Sequence, residues 1–270
     1  MGIFANPLTD LLEYEDFSRD FLKGTDPVGM TGCIDSEKVH FMSTFLGEKK
    51  VQLVVTYNEQ RAREIEEDYK LFCSQVYVIP PRDLIFFSAD LQGNAIIAER
   101  MKAFAALYQN EAKVIITTID ALMSAAVPFE QLMSHVIKLK EGDELDLEKL
   151  KHDLTVMGYE RVGRVEEPGQ FTIHGGIADV YPLTMEVPVR IELWGDEIDT
   201  IRCFEPQSQR SMDQIESVSV FPAAEVIADD TARRRAVGMI KNELESQLAV
   251  FKKVKEPDKA KRLREETNRI

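Results

Sequence analysis

Pro188-Val189-Arg190-Ile191-Glu192-Leu193-Trp194-Gly195-Asp196-Glu197-Ile198-Asp199-Thr200-Ile201-Arg202 alternates apolar and polar residues on either side of a Gly-Asp pair. Such alternation marks a half-buried strand, and two such runs joined by two turn residues make an antiparallel hairpin. Val189, Ile191 and Leu193 fall on one face and belong to a core, while Arg190, Glu192 and Trp194 share the other. Arg190 and Trp194, the chain's single tryptophan, are residue types enriched at interface hot spots. A purely local role fits them as well, with Trp194 packed on a helix and Arg190 paired with a neighbouring acid.

Working outward, Gln170-Phe171-Thr172-Ile173 and Ile177-Ala178-Asp179-Val180-Tyr181 flank a His174-Gly175-Gly176 turn, a second hairpin. The antiparallel pattern runs from Tyr159 to Phe221. Ahead of it Asp146 caps a helix striped by Leu147, Leu150, Leu154 and Met157, with Gly158 as its C′ residue. Residues 126–222 therefore predict a small α+β domain with its own core.

Residues 1–125 read differently. Val51–Thr56 is a short β-branched run suited to a strand buried on both faces, Val76–Ile79 is a second strand ended by Pro80-Pro81, and Val114–Thr118 is a third, buried strand. Helices are predicted at Asp16–Leu22, at Glu59–Phe72 and at Ala95–Tyr108, the last striped by Ile97, Met101, Phe104 and Leu107. Asp120 is placed to cap a short helix through Met123. Strand-helix alternation of this kind gives α/β architecture, a parallel sheet covered on both faces. After Pro222 the chain returns to helix, from about Asp230 to Val254 and again from Glu256. Residues 223–270 thus read as helical, and the last helix has no closing element, as in a piece of something larger.

The composition, 44% hydrophobic and 30% charged over 270 residues, is that of a soluble globular protein. No apolar run approaches the roughly 18 residues that span a bilayer. Met1–Asn6 has no secretory signal, and Asn6 stands where an acyl anchor needs Ser or Thr, so a cytoplasmic protein is expected. Cys33, Cys73 and Cys203 are far apart, as are His40, His135, His152 and His174, and no metal site is expected. The net charge of −14 repels phosphate backbones. Residues 141–200 hold fifteen Asp/Glu against five Lys/Arg, whereas residues 231–270 hold six against twelve. Only that basic tail is a candidate for contact with DNA.

Gly29-Met30-Thr31-Gly32-Cys33-Ile34-Asp35-Ser36-Glu37-Lys38-Val39 has the length of a phosphate loop. Gly32 and Lys38 keep their places, but Glu37 replaces the second glycine and Val39 the hydroxyl residue that holds Mg²⁺. Glu37 would set a carboxylate against an anion, and Val39 has no oxygen to offer. An ordinary loop fits the spacing too. Both readings predict a chain that neither hydrolyses ATP nor carries a cofactor.

Further markers are Pro81-Arg82-Asp83-Leu84-Ile85-Phe86-Phe87-Ser88, Gly158-Tyr159-Glu160-Arg161-Val162, Gly169-Gln170-Phe171, Gly175–Pro182 and Ser208-Gln209-Arg210-Ser211. With the Pro188–Arg202 stretch and the broken loop, they resemble the amino-terminal, UvrB-like region of bacterial transcription-repair coupling factors, from about residue 20 to about 225. Between Pro80-Pro81 and Ala95 there is one short loop without tyrosine, unlike the long hairpin of UvrB itself. The resemblance implies a degenerate helicase-like domain of P-loop NTPase type at 1–125. It implies an inserted UvrA-binding domain at 126–222 and the start of the second half of the UvrB-like module at 223–270. It implies a non-catalytic part that recruits UvrA to stalled RNA polymerase. ATP, Mg²⁺, RNA polymerase and DNA would belong to the rest of a full-length translocase. Arg190 and Trp194 match the family's UvrA-binding arginine and aromatic, whereas His174 stands where the family has arginine and loses its fixed charge. The competing classes are a working nucleotide-binding helicase or UvrB-type fragment, and an autoinhibitory domain in contact with another part of the same protein.

Overall fold

The computed structural model describes residues 8, 10–11, 14–47, 51–82, 90–124, 126–227, 230–253, 259 and 263–264. In chain order its elements are α1 (Tyr14–Lys23), α2 (Asp35–Ser43), β1 (Gln52–Thr56), α3 (Glu59–Lys70), β2 (Val76–Ile79), α4 (Asp90–Tyr108), β3 (Val114–Thr118), α5 (Ile119–Met123) and α6 (Phe129–Met133). There follow β4 (Ile137–Lys140), α7 (Leu147–Val156), β5 (Glu160–Arg161), β6 (Gln170–His174), β7 (Ile177–Val180), β8 (Val189–Trp194), β9 (Glu197–Phe204), β10 (Ser211–Gln214), β11 (Ser217–Val220) and α8 (Asp230–Lys253). Met1–Glu225 is one compact unit and Val226–Ile270 a second.

The fold is mixed α/β. β1, β3 and β2 form a parallel sheet in that order. β3 is central and wholly buried because Val114, Ile115 and Ile116 offer apolar surface to both faces. On one face Ala62, Ile65 and Tyr69 of α3 pack with Val76, Val78, Val114, Ile116 and Val39. The Tyr69 hydroxyl donates to Gln52 Oε1 at 3.0 Å, and burial pushes its phenol up to about 12. On the other face Ala103 and Ala106 of α4 pack against Tyr77, Ile79 and Ile115.

Three expectations are corrected here. β1 is not buried on both faces: it is an edge strand whose Leu53 and Val55 are 60% and 45% exposed, because α4 covers β2 and β3 on that side. The cap of α5 is Thr118, whose Oγ1 accepts from Ala121 N at 3.2 Å, and Asp120 sits in the first turn. α4 starts at Asp90, earlier than its apolar stripe. The Asp83–Ser88 marker, the start at Met1–Asn6 and, apart from residues 259 and 263–264, the helix expected from Glu256 lie outside the described residues.

The second sheet has the order β10-β9-β8-β7-β6-β5, antiparallel except for the β5–β6 pair. Leu150, Leu154 and Met157 close its inner face over Phe171, Val180, Val189, Ile191 and Ile201. Asp146 Oδ1 accepts from the backbone of Glu148 and Lys149 at 2.9 and 3.1 Å, capping α7. Gly158 follows that helix at φ +91, and a Cβ there would stand 2.6 Å from Ala224 Cβ. β4 pairs antiparallel with β11.

Glu225, 7% exposed, joins the first sheet region to the end of the second. Its carboxylate accepts from Arg82 Nε at 3.0 Å and from Arg100 Nη2 at 3.1 Å, while Arg100 Nη1 donates to Pro80 O at 2.5 Å. Burial alone would raise the Glu225 carboxyl, but the hydrogen bonds from Arg100 and Arg82 outweigh it and hold it below its ordinary value. No described helix is long and apolar enough to cross a membrane. Val237, Met239 and Ile240 of α8 are exposed.

Candidate docking face

The six-stranded sheet has one face in its core and one turned outward. Register places Thr172, Asp179, Arg190 and Arg202 in one row across the outer face, and His174, Ile177, Glu192 and Thr200 in the next. Trp194 opposes Glu197 beyond them. A register shift after Glu192 skips Asp199 of β9 and sets Leu193 opposite Ile198 on the core side, while alternation turns Trp194 outward. The Gly175-Gly176 and Gly195-Asp196 turns lie side by side, since Leu193 N donates to Gly176 O at 2.9 Å. Gly175 and Gly195 take φ of +58 and +67, the left-handed region that tight turns demand. His174 is the last residue of β6 and not part of the turn.

The three residues singled out from sequence thus share this face, with different degrees of freedom. Trp194 is 84% exposed, so its indole packs on no helix. Arg190 is held: Nε and Nη2 donate to the two oxygens of Asp179, both at 2.7 Å, and the guanidinium lies 4.8 Å above the Phe204 ring. The bonds to Asp179 push the guanidinium further up in pKa, so its charge is permanent. Nη1 makes no hydrogen bond to a described residue and remains available. The fork is fixed in advance, which lowers the entropy lost when a partner binds. His174 is exposed at the end of the row.

Sequence reasoning missed Asp179 and Phe204, which orient Arg190. Alternation within Ile177–Val180 puts Asp179 on the outer face. The tight turn pairs His174 with Ile177, which fixes how β6 and β7 face each other but not how β7 faces β8.

The broken phosphate loop lies in the first sheet region. Gly32 has φ +85, but Glu37, Lys38 and Val39 sit inside α2. Glu37 Oε2 accepts from Ile34 N at 3.0 Å, Lys38 Nζ donates to Asp35 at 3.1 Å, and Val39 is buried. The helix starts at Asp35 because acidic residues favour a first turn. Cys33 and Cys73 are half-buried and Cys203 is buried. Among the described residues no three His, Cys, Asp or Glu side chains gather as metal ligands.

Comparison with known proteins finds relatives for this part of the chain. The family model of the UvrB interaction domain matches residues 137–225, which include the whole outer face. A transcription-repair-coupling factor of Staphylococcus haemolyticus is 34% identical over 215 residues, 78% of this chain and 18% of that protein. One from Bacillus subtilis is 30% identical over 259 residues, 94% of this chain and 22% of its own length. One from Staphylococcus aureus strain Mu50 is 30% identical over 253 residues, 91% of this chain and 21% of its own. The chain spans about a fifth of the length of these relatives. Over that span the chain is similar to the transcription-repair-coupling factors, and its residues 137–225 match the UvrB interaction domain.

Proposed function

We propose that the outer face of β6–β9 docks UvrA, and that the chain is a recruitment module without chemistry of its own in transcription-coupled nucleotide excision repair. The observation that carries this is an exposed Trp194 beside a pre-oriented Arg190, within a UvrB interaction domain. A large rigid ring and a fixed guanidinium are the anchors that dominate interface energies. As part of a full-length coupling factor, the module would bring UvrA to stalled RNA polymerase. ATP, Mg²⁺ and DNA would then be handled by a motor elsewhere in that protein.

The parallel sheet of β1, β3 and β2 is, in the same proposal, a degenerate P-loop NTPase-type domain kept as a scaffold. A concavity of about 1230 Å³ runs along β1 beside Asp35, Lys38 and Arg61. Its cations face acids already: Lys38 bonds to Asp35, and Arg61 pairs with Glu64 and Asp35. Glu37 supplies its carboxylate to the start of α2, where a nucleotide would need its phosphate. Nucleotide turnover therefore has little support from these residues.

The test is titration of the purified chain with UvrA. Trp194→Ala is expected to cost about 2 kcal/mol of affinity or more, near thirtyfold, with unfolding unchanged because the ring is exposed. UvrA binding that ignores this change would place the docking surface elsewhere.

A further inference from the structure

We infer that Arg202 is a second arginine of the docking face and receives a carboxylate from the partner. The inference rests on the docking proposal and extends it to a residue to which that proposal assigns no part. Arg202 lies directly across the β8–β9 pair from Arg190, on the same face. Two like charges in facing positions repel and need counterions. One counterion is present, Asp179, and both its oxygens are committed to Arg190.

Two further acids near this strand each already accept a hydrogen bond. Glu192 accepts from Thr200 Oγ1 at 3.2 Å, and Glu141 accepts from Gln214 Nε2 at 2.8 Å, Gln214 being the residue opposite Arg202 on β10. Arg202 Nε is buried and has no hydrogen-bond partner. A buried N–H in that condition is uncommon and calls for an acceptor or another explanation. The side chain as a whole is half-buried, so binding a partner requires its fork to turn toward the surface beside Arg190.

The chemistry favours a protein carboxylate. A planar guanidinium takes a carboxylate through two parallel N–H···O bonds, and beside the spare Nη1 of Arg190 it could hold one acid from both sides. A nucleic-acid phosphate would have to approach through the acidic surroundings of residues 141–200 on a chain of net charge −14. The partner segment is therefore expected to carry Asp or Glu against Arg202 and an apolar surface against Trp194.

The experiment compares the unchanged chain with Arg202→Met, Arg202→Glu and Trp194→Ala, each titrated with UvrA and with a single-stranded oligonucleotide, and each unfolded thermally. Arg202→Met keeps the aliphatic stem and removes the unsatisfied N–H, so its Tm is expected to equal or exceed that of the parent. Its UvrA affinity is expected to fall by about thirtyfold, and that of Arg202→Glu further. If Trp194→Ala weakens binding and Arg202→Met leaves it within about threefold, the inference is overturned and the docking proposal stands. If the parent chain ignores UvrA, both fall. A drop of several degrees in Tm for Arg202→Met would show a structural role instead. Oligonucleotide binding lost in Arg202→Met with UvrA affinity intact would show a phosphate site, and either result overturns the inference.

Discussion

Arg190 and Trp194 answer the same question in different ways when mutated. Removing the Arg190 side chain leaves Asp179, 5% exposed, as a buried carboxylate without its counterion. Breaking one side of such a pair costs about 3–5 kcal/mol of folding stability. Arg190→Ala is therefore expected to lower the urea midpoint strongly, so its loss of UvrA binding would mix folding with recognition. Arg190→Lys should be milder in denaturation, since the charge stays, yet still bind UvrA more weakly because a lysine has no fork. Titration and urea unfolding of the two variants side by side check both statements. A lysine variant that binds like the parent would show that charge alone matters at this position.

Among the elements, the hairpins were the most legible part of the sequence and the sheet edges the least. Alternation through Val189–Leu193 named the core face, and Gly195-Asp196 named the turn. The same logic failed at β1. Val51–Thr56 is as apolar as Val114–Thr118, and only the order of strands, which no local pattern encodes, puts one at an edge and the other at the centre. β4 was missed for a related reason: Ile137-Lys138-Leu139-Lys140 becomes a strand by pairing with β11, almost eighty residues later. The partner of Arg190 was hidden by register, not by composition. Helix ends, in contrast, are local chemistry. Gly158→Ala should destabilise the chain by about 2 kcal/mol or more, since φ +91 is strained for alanine and the new methyl meets Ala224 at 2.6 Å. Asp146→Ala should remove the α7 cap and cost about 1 kcal/mol. Equilibrium urea unfolding measures both, and parity with the parent at Gly158 would mean that the Ala224 segment moves freely aside.

Over the whole first unit, Glu225 is a buried carboxylate on whose charge two arginine contacts depend. Its carboxyl is held below the ordinary carboxylate value in the folded chain. A depressed folded value contributes stability above the unfolded pKa of about 4.3, and that stability is lost as pH falls through the folded value. The chain is expected to lose stability below about pH 4, and Glu225→Gln should flatten that part of the profile while lowering stability at pH 7 by roughly 3 kcal/mol. Thermal unfolding from pH 3 to pH 7 gives the comparison. An unchanged profile in Glu225→Gln would assign the acid sensitivity to other carboxylates.

That ion cluster also sets a load path. Glu225 is the last residue of the first unit and is clamped by Arg82 and Arg100 to the Pro80 corner and α4. A pull on the polypeptide from residue 226 onward would meet that anchor before it reached the hairpins that carry Trp194.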